Sequence, residues 1–253
     1  MHSLSALFSS FVAALVLATP VLGIGNGAQI TLFKRDAPLT SRDLESAAMH
    51  GVNITEMFRH TIVKRSNENG DPEEWTIWVH NSFQEFEEEL PSESASISRV
   101  RARQVHAKPV SPLFSGGPYQ CAYYTYTDKT STSSPTTGGT DEIVRWCDAR
   151  RGYFDLNSAY ELSNPTRQIL IVAGSNGGTN ALFRTEKIGT NEVEVGTWDI
   201  RDLVRESGNR YKRQINGKWY LGAEGGINCF GTFLPIPWYN VRWFLVRTDR
   251  RSD

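Results

Sequence analysis

The 253-residue chain holds only three cysteines, Cys121, Cys147 and Cys229, and five histidines, none of them after His106. The cysteine spacing fits no zinc pattern, and no histidine lies downstream to complete one, so no metal site is expected. The same lack removes Ser–His and Cys–His nucleophilic catalysis, and histidine-dependent ribonuclease chemistry, from everything beyond His106. Beyond the N-terminal run there is no long apolar stretch, so no stable membrane span is expected. Charge of either sign is also not in excess: 27 Lys+Arg face 28 Asp+Glu, a net of −1. Nucleic acid binding calls for a concentrated basic face, and none is present. Gly174-Ser-Asn-Gly-Gly178 lacks the spacing of a phosphate-binding loop and precedes a strand-like segment, so no cofactor is expected either.

What is present begins with an uncharged apolar run, Leu4–Ala18, followed by small residues up to Gly23. It is too short for a span and reads as a secretory signal peptide over residues 1–23. Residues 24–118 then change character: basic pairs at Lys34-Arg35 and Lys64-Arg65, an acidic run Glu85–Glu89, and a Pro/Ser/Arg-rich passage from Pro91 to Pro118. This segment reads as a largely disordered pro-region and linker, with at most a helix within Asp36–Arg59 and a strand at Glu74–Val79. Arg35, Arg65 and, in Arg99-Val-Arg-Ala-Arg103, Arg103 are the candidate processing residues, and Asn53-Ile-Thr55 is the glycosylation sequon.

From residue 119 to 253 the pattern is that of a folded domain. Its centre is Gln168-Ile-Leu-Ile-Val-Ala173, an apolar, β-branched run closed by turn residues and therefore a strand buried on both faces. Cys121–Thr127 alternates aromatic and small residues as a strand does, and Asn180–Ile188 is a return strand after the Gly turn. Thr140–Ala149 and Thr197–Glu206 open with capping residues and early acids, which predicts two helices. Asn216-Gly217 between two short strands is a strong hairpin signal, and Ile227–Phe233 and Val241–Val246 close the chain as strands. The order predicts an α+β two-layer sandwich, a mainly antiparallel sheet with two helices on one face.

Three cysteines imply one disulfide with one thiol left over, which could link a second chain. Cys121–Cys147 is favoured, with Cys229 competing for either partner. Ala173-Gly-Ser175-Asn-Gly177 comes close to a nucleophile elbow, but no histidine follows it, so Ser175 is read as a turn residue. Asp128, Asp141, Asp148, Asp155, Glu192, Glu194 and Glu224 leave room for a carboxylate pair, with nothing to single out two of them. Trp219-Tyr220, Trp238-Tyr239 and Trp243-Phe244 crowd the C-terminal stretch. Neighbours on a strand point to opposite faces, so Trp219, Trp238 and Trp243 are the candidate binding rings.

The basic pairs Lys34-Arg35 and Lys64-Arg65 resemble kexin-type processing sites of fungal secretory precursors. Together with the signal peptide, the sparse cysteines and the strand and helix order of Tyr119–Val246, the chain resembles secreted fungal effectors and killer toxins, some of them small α/β sandwiches. That resemblance implies an extracellular, non-enzymatic protein that binds a host or competitor target. A glycan-binding module using exposed Trp or Tyr and a carboxylate-dependent hydrolase are the alternatives. The target itself, protein or glycan, is not legible in the sequence.

Overall fold

A computed structural model describes residues 28–66, 70–86, 118–156, 166–187, 192–231 and 238–248. The signal-peptide segment 1–23 and Arg103 lie outside the described residues. Nine strands form one antiparallel sheet. β1 (Gln29–Leu32), β2 (Met57–Ser66) and β3 (Pro72–His80) lead to the central pair β8 (Thr166–Ser175) and β9 (Asn180–Lys187). Then follow β14 (Trp238–Val246) and β13 (Ala223–Phe230), with the short β5 (Cys121–Ala122) and β6 (Thr127–Asp128) along the outer edge of β13. A second sheet joins β4 (Phe83–Glu85), β7 (Gly152–Leu156) and β10 (Val193–Gly196), and β11 (Arg213–Ile215) pairs with β12 (Lys218–Tyr220) as a hairpin. The α+β antiparallel architecture read from the sequence is the one observed.

Alternation along the strands builds two cores. Ile77 and Val79 of β3, Ile171 and Ala173 of β8, Ala181 and Phe183 of β9, and Val241, Trp243 and Leu245 of β14 share one face. There they meet Ile143 and Trp146 of α2 (Thr137–Ala149) and Ile200, Leu203 and Val204 of α3 (Thr197–Tyr211). The intervening Trp78, Val172 and Leu182 point the other way, onto Ala47 of α1 (Ser41–Met49). Two helices therefore do cover one face, and a third, α1, covers part of the opposite face. Each large apolar side chain buried in this way contributes about 1.5–3 kcal/mol.

The local signals explain the boundaries. Thr40 and Asp43 cap α1 reciprocally, as a capping box does. For α3 only half of such a cap exists: Asp199 accepts from Gly196 N, while glycine has no side chain to return the bond, and Asp199 also accepts from Gln120 N at 2.6 Å, which ties the strand that opens the C-terminal part to the helix start. Position 196 must be glycine, because a Cβ there would stand 2.1 Å from Pro118 O. Asn216 and Gly217 both take positive φ, 50° and 78°, as a tight two-residue hairpin turn requires.

The reading of 24–118 as a largely disordered pro-region does not hold for residues 28–66 and 70–86. β3 pairs with β8 from Trp75↔Ser175 to Val79↔Ile171, β4 pairs with β7, and Trp75, Ile77, Val79 and Phe83 belong to the main core. A boundary at 118/119 therefore cuts through a shared sheet. The predicted strand Cys121–Thr127 is also broken into β5 and β6, because Tyr123 adopts φ +54° between them.

Candidate binding surface and cavity

The cysteines settle the geometry of one sheet edge. Cys121 and Cys229 are directly opposed in the β5/β13 register and form the disulfide. The favoured Cys121–Cys147 pairing is therefore overturned. Cys147 is the free thiol, but it lies inside α2 with no exposed surface, and burial holds its pKa well above the ordinary range. A thiol so enclosed cannot link a second chain, so the expected interchain bond has no accessible donor in the fold.

Beside the disulfide the chain kinks outward. Tyr124 Oη reaches Asp199 Oδ1 at 2.7 Å and Cys121 O at 3.0 Å, and Thr125 N donates to Gly226 O at 2.9 Å. Between these anchors Tyr123, at φ +54°, is 74% exposed. A left-handed backbone costs a non-glycine residue roughly 1–2 kcal/mol, which here is spent on displaying a ring to solvent. The only sequence signal for it was its place in the aromatic run Tyr123–Tyr126, which does not distinguish the exposed ring from the anchored ones.

The three candidate binding tryptophans separate. Trp219 on β12 is 46% exposed, with Lys212 Nζ 5.3 Å from its ring centroid. Its hairpin is fastened to the same sheet edge by an ion pair between Arg213 and Asp128 of β6. Trp243 is fully buried, stacked on Phe183 with ring planes 5° apart and met edge-on by Tyr126, so it is a core residue and no binding ring. Trp238 begins β14, and its side chain lies outside the described residues.

The processing candidates also differ. Arg65 lies within β2, where Arg65 is paired with Glu73 of β3, and its guanidinium meets Glu142 Oε1 of α2 at 2.5 Å. Cutting after a residue so held requires the strand to leave the sheet. Arg35 sits in an exposed turn, yet its Nη2 donates to Phe83 O at 2.5 Å and its guanidinium lies over Phe58. Asn53 is exposed in the turn after α1, with Oδ1 accepting from Thr55 N and Oγ1, so the sequon is on the surface of the folded part.

Ser175, read from the sequence as a turn residue, is the last residue of β8, and the turn follows it at residues 176–178. Its Oγ bonds Thr179 Oγ1 at 2.7 Å, and its carbonyl accepts from His50 Nε2 at 3.0 Å. Of the seven acidic candidates, the register brings two together: Asp155 of β7 opposes Glu194 of β10. Burial, followed by Glu192, raises the Asp155 pKa, and burial followed by Asp155 raises that of Glu194. Glu192 also acts on Asp155, whereas Asp148 is engaged with Arg201 and Arg205, Glu224 with Lys129, Asp128 with Arg213, and Asp141 faces Lys212 and Arg65. Among the described residues no group of His, Cys, Asp and Glu could hold a metal ion, and no helix is long and apolar enough to cross a membrane.

A cavity of about 620 Å³ opens where β1 and the turn after it meet β2, β4 and the end of α2. Phe58 and Phe83 form its apolar wall, and Lys34, Arg35 and Arg150 bring cationic groups to it. His60, 5% exposed, forms part of the lining. Its Nδ1 accepts from Trp146 Nε1 at 3.2 Å and lies 2.7 Å from Thr61 Oγ1, which leaves Nε2 as the protonated nitrogen. Burial, then the nearby Arg150 charge, pushes the imidazole pKa down to about 4, so the ring is neutral at physiological pH. Sequence reasoning passed over this site, because its residues fall in the segment read as a pro-region.

Residues 120–229, which run from the disulfide edge through both helices to the second disulfide cysteine, match the Hce2 family model, described as "Pathogen effector; putative necrosis-inducing factor". The match bears out the effector resemblance read from the sequence. With the intramolecular disulfide it fits an exported, effector-like protein. Neither curated proteins nor solved structures provide a match to the chain.

Proposed function

We propose that the chain is a secreted effector that acts by binding a host or competitor protein through the disulfide-braced edge of the sheet, with Tyr123 and Trp219 as its anchors. The observation that supports this most is Tyr123 itself. A strained, exposed tyrosine, clamped on one side by Cys121–Cys229 and on the other by Tyr124 and Asp199, lies inside the segment that matches the effector family. Exposed aromatic side chains on a rigid support are the usual anchors of protein interfaces. Of the processing residues, Arg103 is the one proposed as the cut, since Arg35 and Arg65 are held by the fold. Asn53, exposed in the turn after α1, is proposed as a glycan carrier.

The test is infiltration of purified full-length protein into leaf tissue, scored for cell death, with Tyr123→Gly and Trp219→Ala beside the wild type. Glycine accepts φ +54° without strain, so Tyr123→Gly should keep the fold and lose the response. A wild type without effect rejects a host target in this tissue, and a Tyr123→Gly variant as active as the wild type rejects the proposed anchor. One observation favours a second reading, a carboxylate-dependent hydrolase: the opposed Asp155 and Glu194, whose pKa values are both raised, chiefly by burial. That reading requires polysaccharide turnover by the purified protein that disappears in Asp155→Asn.

A further inference from the structure

We propose that the cavity between β1, β2, β4 and the end of α2 binds a small amphiphilic carboxylate, an aromatic or aliphatic acid whose body lies on Phe58 and Phe83 and whose carboxylate meets Arg35 and Arg150. The volume, about 620 Å³, falls in the range of small-molecule sites. Its composition is that of such a site as well: an apolar wall with a few polar groups converging on it. Nothing in the effector-family match bears on it, because all of its lining except Arg150 lies outside residues 120–229.

Charge decides the class of ligand. Lys34, Arg35 and Arg150 face two carboxylates, Asp36 and Glu85, and the neutral His60 adds no charge, so the lining carries one positive charge in excess. A ligand carboxylate neutralises that excess, whereas a ligand ammonium would add to it. The donors are also in place. Arg35 spends one of its N–H groups on Phe83 O at 2.5 Å while its guanidinium covers Phe58 at 5.3 Å, which fixes the side chain and leaves further N–H groups of its fork free for an anion. Arg150 is paired with Glu85 at 3.3 Å from one nitrogen, Nη1. His60 lies in the buried part of the lining and carries its proton on Nε2. Polar satisfaction of the imidazole on its other side, by Trp146 and Thr61, fixes which nitrogen donates.

The experiment is calorimetric titration of the full chain with 2-naphthoate and with 2-naphthamide, which has the same shape and no charge. The acid should bind, and the amide should bind roughly tenfold more weakly or worse, the worth of a charge-assisted hydrogen bond. Arg35→Gln/Arg150→Gln should bring the acid to the level of the amide, while Phe58→Ala should weaken both ligands together. Near-UV circular dichroism reports whether each variant is folded. Should the double variant fail to fold, Arg150→Gln alone and the salt dependence of the wild type serve in its place: acid binding weakens with salt and amide binding does not. Equal binding of acid and amide, acid binding untouched by the arginine substitutions, or no heat from either ligand overturns the proposal.

Discussion

The Cys121–Cys229 bond carries a stability that can be calculated before it is measured. It closes a loop of 108 residues, and the chain-entropy relation gives about 4.8 kcal/mol at 25 °C for a closure of that length. No competing crosslink exists, since Cys147 is free and enclosed. Cys121→Ala/Cys229→Ala should therefore lower the unfolding free energy in urea by roughly 4–5 kcal/mol. The same loss should lower Tm by about 10–20 °C for a chain of this size. Alanine is the right replacement because both positions are buried, and a serine hydroxyl would add its own desolvation cost. Cys147→Ala should leave the crosslinked peptide pair unchanged in a non-reducing digest read by mass spectrometry. A loss below about 1 kcal/mol for the double variant, or a digest that joins Cys147 to either partner, would refute the reasoning.

Three further outcomes are expected. Glu142, buried beneath Arg65 and Arg145 and close to Glu73 and Asp141, has its pKa raised by burial from 4.5 to about 7. The folded chain thus holds a proton between those pH values that the unfolded chain has lost, and stability falls as pH rises through that window. The gap in unfolding free energy, from urea denaturation, between Glu142→Gln and wild type should grow in the variant's favour from about pH 4.5 to 7, by up to about 3 kcal/mol, and a constant gap counts against it. Trp243→Ala should cost about 3–5 kcal/mol by chemical denaturation, while Trp219→Ala should stay within about 0.5 kcal/mol; similar losses would mean that the two rings are wrongly placed. A chain cleaved at a protease site engineered between residues 87 and 117 should elute from gel filtration as one species and separate only in denaturant. Trp75, Ile77, Val79 and Phe83 bury about 1.5–3 kcal/mol each against the other fragment, and fragments that part in buffer would contradict that interface.

The parts of the fold legible in the sequence were those set by local chemistry. β8 announced itself as an apolar run closed by glycines and Asn216-Gly217 as a turn; both helices were found, but α2 starts at Thr137, ahead of the expected cap Thr140, and the N-cap of α3 is Gly196 rather than Thr197. What was missed depends on partners distant in the chain. Glu74–Val79 reads as a strand, but nothing local says that Trp75, Ile77 and Val79 face α2 or that the strand lies beside β8. The basic and acidic residues that made 24–118 look like a solvated leader turn out to pair inside the fold, Arg59 with Asp43 and Arg65 with Glu142. The cysteine pairing failed for the same reason: it is set by the register of β5 on β13, which no spacing rule encodes. Of the candidate sites, the exposed Trp219 was legible as an aromatic on a short hairpin strand. The cavity was not, since Phe58, His60 and Phe83 become a wall only once β2 and β4 are placed against α2.

The pairing of β3 with β8 also has a consequence for synthesis. Val79 meets Ile171, a partner about ninety residues further along the chain. At ribosomal speeds of roughly 5–20 residues per second, the β2–β3 hairpin waits about 5–20 s before its neighbour exists. Throughout that interval Trp78 already has α1 to cover it, but Trp75, on the opposite face of the same strand, has none of α2, α3 or β8. The newborn chain therefore offers a sticky one-sided ribbon to its surroundings, and its yield in any expression host should depend on what shields that face until β8 and the two later helices are made.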